Sequence, residues 1–300
     1  MRIGLMMALA GESATTRERL ITGAQAAEAA GFNSLWFPEH VVLVDSPVSQ
    51  YPYADDGSFP AQAASGMLEP FVAIAMAAGV TQEIRLGTGI CLVPQRSPIY
   101  TAKLVADCDV LSGGRLDFGV GIGWLREEFE ALGADFDERG HACREYLAAM
   151  HSLWTDEVSE HHGRLLSIPP VRMAPKPLQK PSPPIYFGGE SDNALRRVAD
   201  LGQGWYGFNL LPDEVPGRVA ALDAFVRHCG RRPAEIDITV SPYLKPARDV
   251  AALEAYGAAG VDQVILLVGG RSATELSDNI ARLGEELLVA AATIPSARRS

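Results

Sequence analysis

The residues of this chain best suited to chemistry stand where short apolar runs end. His40 follows Glu39 at the close of Leu35-Trp36-Phe37-Pro38. An imidazole able to donate or shuttle a proton near neutral pH is thereby set at the tip of a buried segment. Elsewhere a lone histidine is mostly structural; this position makes His40 the candidate acid or base. Gly188-Gly189-Glu190-Ser191 leads into a helical stretch, and such a turn exposes backbone N–H groups where the helix dipole favours an anion such as a phosphate. Ser191 either adds a hydroxyl donor or merely caps the helix, and the Glu190 charge opposes a purely electrostatic anion site. Gly119, Gly121 and Gly123 alternate with other residues, but a dinucleotide fingerprint needs glycine where Trp124 stands, so that reading is rejected. These glycines instead admit a flat ring system or an unusual backbone course, or form a turn that binds nothing. Thr88-Gly89-Ile90 and Gly204-Trp205 close two further runs.

The remaining chemistry-bearing residues suggest less. Cys91, Cys108, Cys143 and Cys229 lie far apart, with no C-x-x-C pair and no cysteine or histidine spacing suited to zinc, so no metal site is expected. Cys91, just past the third run, has no neighbour that would activate a thiol. His161-His162 read as exposed loop residues, and His141, His151 and His228 as helix-surface residues. Trp36, Phe37, Trp124, Tyr186, Phe187, Trp205 and Tyr206 are expected partly in the core and partly on pocket walls.

What must position these groups is a regular alternation of elements. Ile3 to Met7 is a strand-length apolar run, and Thr15 to Ala30 follows with apolar residues at helical spacing until Gly31. The pattern predicts further strands at Asn33 to Phe37, Ile84 to Gly89, Leu116 to Gly121, Ile185 to Phe187, Gly204 to Gly207, Ile236 to Ser241 and Gln263 to Val268. Helices are expected at Phe71 to Gly79, Ile99 to Leu111, Arg139 to Trp154, Asp192 to Leu201, Pro212 to Cys229, Val250 to Ala259 and Thr274 to Ala291. Eight βα units in one domain, 1–300, fit a closed (β/α)8 TIM barrel with its site at the C-terminal strand ends; a doubly wound open sheet is the alternative. Two insertions interrupt the alternation. Residues 43–66, after strand two, carry Pro47, Pro52, Pro60 and Asp55-Asp56-Gly57 and suggest a lid or one wall of a site. Residues 157–184, before strand five, are read as irregular because Pro169-Pro170, Pro175, Pro177, Pro181 and Pro183-Pro184 cannot continue helices or join central ladders. The tail from Pro295 to Ser300 is expected to fray.

Composition agrees with such a core. Of 300 residues, 47% are hydrophobic, and 26 Lys and Arg against 37 Asp and Glu leave a net charge of −11. The acidic balance and the lack of a basic run argue against a nucleic-acid partner or an anionic membrane. No apolar stretch approaches the ~20 residues of a membrane span, and the first residues lack a signal-type apolar segment. A cytoplasmic protein is expected.

Taken in order, Leu35-Trp36-Phe37-Pro38-Glu39-His40, Ile84-Arg85-Leu86-Gly87-Thr88-Gly89, Leu111-Ser112-Gly113-Gly114-Arg115, Gly119-Val120-Gly121-Ile122-Gly123-Trp124, Glu127-Glu128-Phe129 and Phe187-Gly188-Gly189 carry a family likeness. With Tyr51-Pro52-Tyr53 and Gly260-Val261-Asp262, they resemble the bacterial luciferase-like monooxygenase superfamily from Ile3 to about Leu283. The detailed pattern is most similar to its F420-dependent branch. The resemblance implies a TIM-barrel redox enzyme using the deazaflavin coenzyme F420 or FMN. It implies a non-prolyl cis peptide at Gly89-Ile90 backing the ring, phosphate contacts at Glu190-Ser191 with amides from Gly188 and Gly189, and His40 facing the ring. Gly121, Gly123 and Trp124 match the segment beside the cofactor, and Glu39, Thr88 and Trp205 join the expected contacts at neighbouring strand ends.

Sugar-phosphate dehydrogenases of the superfamily place an acid where this chain has Trp124, and no Lys/Arg pair is positioned by motif for a substrate phosphate. The expected activity is hydride transfer between F420 and a small ketone, alcohol or unsaturated compound. The alternatives are an FMN-dependent monooxygenase fed by a separate flavin reductase, and a non-catalytic flavin-carrying barrel, to which a lid beside a strand-end histidine would be of no use. Pairing through helices, as in family members, implies a homodimer.

Overall fold

The structure is a computed structural model that describes residues 1–7, 9, 16–60 and 67–298. Its barrel strands run in sequence as β1 (Arg2–Met7), β2 (Ser34–Phe37), a third position made of β3 (Arg85–Thr88) and β4 (Cys91–Leu92), β5 (Leu116–Gly121), then, beyond a hairpin of β6 (Ser159–His162) and β7 (Ser167–Val171), β8 (Ile185–Gly188), β9 (Gly204–Phe208), β10 (Asp237–Ser241) and β11 (Gln263–Val268). Every barrel neighbour is parallel, and the sheet closes through Leu86 opposite Leu116 and Arg2 opposite Gln263. The expected (β/α)8 closed barrel is therefore what forms, and the open sheet is excluded. Helices α1 (Thr16–Ala30), α2 (Pro70–Ala78), α3 (Pro98–Leu111), α4 (Arg126–Ala131), α5 (Arg139–Thr155), α6 (Asp192–Leu201), α7 (Val215–His228), α8 (Val250–Ala258) and α9 (Ala273–Thr293) surround it, with α9 packed along α1.

Strand periodicity sorts the side chains into two sets. Ile3, Leu5, Leu35, Phe37, Leu86, Phe118, Val120, Phe187, Trp205, Val240 and Val264 face outward and form the core under the helices. Met6, Trp36, Tyr186, Tyr206 and Ile265 face inward and fill the middle of the barrel. Two glycines make that filling possible. A Cβ on Gly87 would stand 2.6 Å from the Trp36 ring, and one on Gly204 would stand 2.1 Å from Tyr186. Below these rings the inward residues are polar: Arg2 pairs with Asp237, Arg85 with Asp117, and Gln263 donates to Ser34.

Two segments differ from the sequence reading. The second insertion is not irregular throughout. Residues 159–171 hold the antiparallel pair β6 and β7, whose turn is held by the Glu145 carboxylate accepting from Leu165 N–H at 2.8 Å and Leu166 N–H at 2.7 Å. Pro169 and Pro170 are accommodated because this ribbon is two-stranded, exposed at both residues, and shifts register nearby. His161 and His162 accordingly lie in β6 rather than in a loop, and His161 is half-buried against Glu145. The short α4 was not expected, since six residues give too little periodicity to read. In the first insertion residues 43–60 are described, whereas 61–66, like Thr15 of the first helix and the last two residues of the tail, lie outside the described residues.

Candidate active site

A cavity of about 500 Å³ opens at the C-terminal ends of the strands, where barrels of this kind carry function. Glu39, His40, Gly89, Ile90, Gly121, Gly123, Trp124, Gly188 and Gly189 all line it. Thr88, Glu190, Ser191 and Trp205 do not. Thr88 and Trp205 have the outward parity of their strands. The Thr88 hydroxyl donates to Gly119 O at 2.6 Å, and Trp205 Nε1 donates to Gly189 O at 2.9 Å.

His40 is the centre of the polar part. Its Nδ1 lies 2.9 Å from Glu128 Oε2, and both side chains are almost fully buried. Burial opposes ionisation of Glu128, but its hydrogen bonds from His40, Gln95 and Val41 hold the carboxyl below the ordinary glutamate value. An ionised carboxylate only accepts, so Nδ1 carries the proton and, among the described residues, Nε2 is left as an acceptor without a partner. Around the imidazole, Phe59 and Trp124 approach edge-on at 5.1 and 5.9 Å, and Tyr51 closes the cluster 5.0 Å from Phe59.

The neighbouring carboxylates of α4 also bind the first insertion. Glu128 Oε1 accepts from Val41 N–H at 2.8 Å and Val42 N–H at 3.3 Å, and Glu127 Oε1 accepts from Val48 N–H at 2.7 Å and Ser49 N–H at 3.0 Å. Hydrogen bonds from Ser49 and then from the backbone push Glu127 down to about 2. Glu39, by contrast, presents no free carboxylate to the cavity: Arg96 and Leu92 N–H take it.

The Gly89–Ile90 peptide is cis. It lies at the break between β3 and β4 and puts Ile90 on the cavity wall. The glycines opposite make room for this residue: a Cβ on Gly121 would stand 2.3 Å from Ile90 Cδ1, and one on Gly188 would stand 2.4 Å from it. At the next turn Gly189 has φ +104°, and Ser191 is the N-cap of α6, its hydroxyl accepting from Ala194 N–H at 3.2 Å. Glu190 turns inward, accepting from Phe208 N–H at 2.8 Å and from the Tyr53 hydroxyl at 3.1 Å, and burial raises its pKa. Its charge is thus removed from the outer face of the turn, where the sequence reading set it against an anion. Cys91 is fully buried and off the cavity, with its thiol raised by burial. No cluster of metal-ligating side chains occurs among the described residues.

Reading strand ends alone misses the residues supplied from elsewhere. Glu128 belongs to the quoted Glu127-Glu128-Phe129 run, whose place four residues after Trp124 was the available signal. Tyr51, Tyr53 and Phe59 come from the first insertion, expected as a lid or wall and marked in part by Tyr51-Pro52-Tyr53; Tyr243 and Arg248 come from the segment after β10, and nothing in their spacing marks them.

The sequence model of the luciferase-like monooxygenases matches residues 1–291. An uncharacterized protein of Mycobacterium tuberculosis is 31% identical over 277 residues, covering 91% of this chain and 96% of that protein. Among solved structures, the monooxygenase RslO1 from Streptomyces bottropensis superposes with a TM-score of 0.76 at 22% identity, over 96% of this chain and 99% of the other. An F420-dependent secondary alcohol dehydrogenase in complex with an F420-acetone adduct gives 0.74 at 16% identity, over 97% and 98%.

Proposed function

The chain belongs to the luciferase-like monooxygenase family, and on that premise we propose that it is an oxidoreductase holding coenzyme F420 and exchanging hydride with a small ketone, alcohol or unsaturated compound. The observation that carries this reading is His40, paired with Glu128 behind it, on the wall of a mostly apolar cavity. Oxidising an alcohol to a ketone removes a hydride from carbon and a proton from oxygen, and the reverse reaction returns both. Bound deazaflavin supplies the hydride chemistry. The protein must then move one proton and exclude water. His40 Nε2 takes the hydroxyl proton, Glu128 stabilises the imidazolium so formed, and the same pair returns the proton in reduction. Phe59, Tyr51 and Trp124 keep the site dry.

The cavity fits a flat ring. Its volume lies within the ~300–1,000 Å³ of small-molecule sites, and Gly89 and Ile90 offer the wall that would back the ring. The Gly188 and Gly189 amides beside the N-terminus of α6 would hold a phosphate, while Ser191, Trp205 and Thr88 support that wall from behind. Gly121, Gly123 and Trp124 would border the cofactor, with Glu39 fixing the segment before His40.

The family description and the likeness to a monooxygenase favour a second reading, an FMN enzyme that receives reduced flavin from a separate reductase and activates oxygen. Titration of the pure protein with each cofactor, followed by absorbance and fluorescence, decides between them. Preference for F420 without oxygen consumption is expected; preference for FMN with oxygen consumption overturns the first reading. The protein is further proposed to be a cytoplasmic homodimer. Among the described residues no helix is long and apolar enough to cross a membrane.

A further inference from the structure

We propose that Arg248 anchors a carboxylate on the substrate, so that the compound taken by this cavity is an amphipathic organic acid. Arg248 is the one Lys or Arg among the described residues lining the cavity. Its Nη2 donates to Leu267 O at 2.6 Å, which fixes the guanidinium across the ends of β10 and β11. Among the described residues no carboxylate lies within ion-pair distance of it, whereas Arg2, Arg85 and Arg96 each face one, in a chain whose net charge is −11. Arg248 stands exposed at the rim, where local desolvation and nearby Arg282 hold it below the ordinary arginine value, and an anion would offset the repulsion from Arg282.

The surroundings specify the kind of anion. The two helix N-termini beside this rim are already capped: Asp249 accepts from Ala252 N–H at 2.8 Å in α8, and Ser272 accepts from Glu275 N–H at 3.1 Å in α9. Glu275 itself accepts from Arg271 N–H at 2.9 Å. A ligand anion is therefore met by the guanidinium and not by helix ends, and Asp249 and Glu275 repel a doubly charged phosphate more than a singly charged carboxylate.

Placement around the barrel completes the argument, and it rests on the proposed function for the side of the cavity given to the ring. His40 follows β2, Gly89–Ile90 interrupts the third strand, and Gly188 ends β8. Arg248 stands across the opening, with Phe208, Tyr243, Leu244 and Leu267 between. A molecule with its reacting carbon near His40 lays an apolar body along that wall and ends at Arg248.

The cofactor's own phosphate is the other source of an anion, and one experiment separates the two. Benzoate and benzamide, alike in shape and unlike in charge, are titrated by intrinsic fluorescence into the wild type, Arg248→Lys and Arg248→Gln, each with and without saturating F420 or FMN. We expect the wild type to bind benzoate about tenfold more tightly than benzamide. Arg248→Gln should abolish that preference while still binding benzamide, Arg248→Lys should keep part of it, and bound cofactor should leave it in place. Equal binding of the two probes by wild type, or a preference that survives in Arg248→Gln, overturns the proposal. So does displacement of benzoate by cofactor together with weakened cofactor binding in Arg248→Gln, which assigns the arginine to the cofactor phosphate. Because the preference is also read without cofactor, a chain that binds neither F420 nor FMN defeats the proposed function while this result still stands or falls on its own.

Discussion

At the N-terminal end of the barrel the inward side chains answer one another. Arg85 Nε donates to Asp117 at 2.9 and 3.1 Å, the Tyr186 hydroxyl donates to Asp237 at 3.1 Å, and Trp36 Nε1 donates to Ser34 at 2.8 Å. At the C-terminal end the same strands offer Met6, Gly89, Gly121, Gly188, Phe208 and Leu267, and the polar groups come from the segments beyond them. These floor groups satisfy each other; the mouth is mostly apolar, and among the described residues His40 Nε2 and most of the Arg248 donors have no hydrogen-bond partner. Polar groups buried in mutual contact have nothing to give a ligand. Ionisable residues inside one barrel therefore hold the fold together at one end and are left open to a ligand at the other, according to whether their bonds are closed.

That contrast is broken most sharply at His40. His40→Ala should cut turnover by ~10²- to 10⁴-fold and leave cofactor affinity near wild type, with a limited fall in melting temperature because Glu128 keeps its bonds from Gln95, Val41 and Val42; steady-state kinetics showing full turnover would remove His40 from the mechanism. At the floor the order reverses. Asp117→Ala leaves the Arg85 guanidinium without its carboxylate and should cost about 3 kcal/mol in urea unfolding, with kcat unchanged in the folded fraction. Tyr53→Phe removes one hydrogen bond between the first insertion and Glu190. It should cost about 1 kcal/mol and raise KM a few-fold with little change in kcat.

The smallest effect is one of sign, read by comparing unfolding free energies across pH. Glu190 has its pKa raised in the folded chain from an ordinary 4.5, so its contribution to stability is present below that value and is lost as pH climbs through the raised one. Glu128 is lowered from the same value, so its contribution is present above 4.5 and is lost as pH falls through the lowered one. Glu190→Gln and Glu128→Gln should therefore depart from wild type in opposite directions between acid and neutral pH, and parallel curves would refute the assignment.

Most of the barrel was legible because strand and helix periods differ and because strand ends are punctuated by glycine. Strands at 116–121 and 263–268 and the helix at 192–201 fall where the pattern places them. The site was legible only along the strands. His40, Gly89 and Gly188 reach the cavity, yet Thr88 and Trp205, chosen at strand ends too, point under the helices, because adjacent residues of a strand take opposite faces. Counting in twos back from inward Trp36, Gly87 and Tyr206 would have separated the two sets. Glu190 illustrates the opposite limit. Its sign suggested a clash with phosphate, but the partners that turn it inward, Tyr53 and Phe208, are 137 and 18 residues away in sequence, a proximity no local pattern encodes. Tyr51, Phe59, Tyr243 and Arg248 arrive on loops, whose course depends on long-range contacts.

Glu127 and Glu128 accept from the main-chain amides of residues 41, 42, 48 and 49, with the Ser49 side chain adding to the hold on Glu127. Apart from Ser49, these amide bonds do not depend on which side chains residues 41–49 carry, although proline would remove the donor it replaces. On the proposed reading, the insertion can therefore change residues beside the cavity, and with them its choice of substrate, while the histidine anchored to Glu128 stays where it is. Under that reading, new substrates would be acquired by drift in one short stretch without reinventing the proposed proton chemistry.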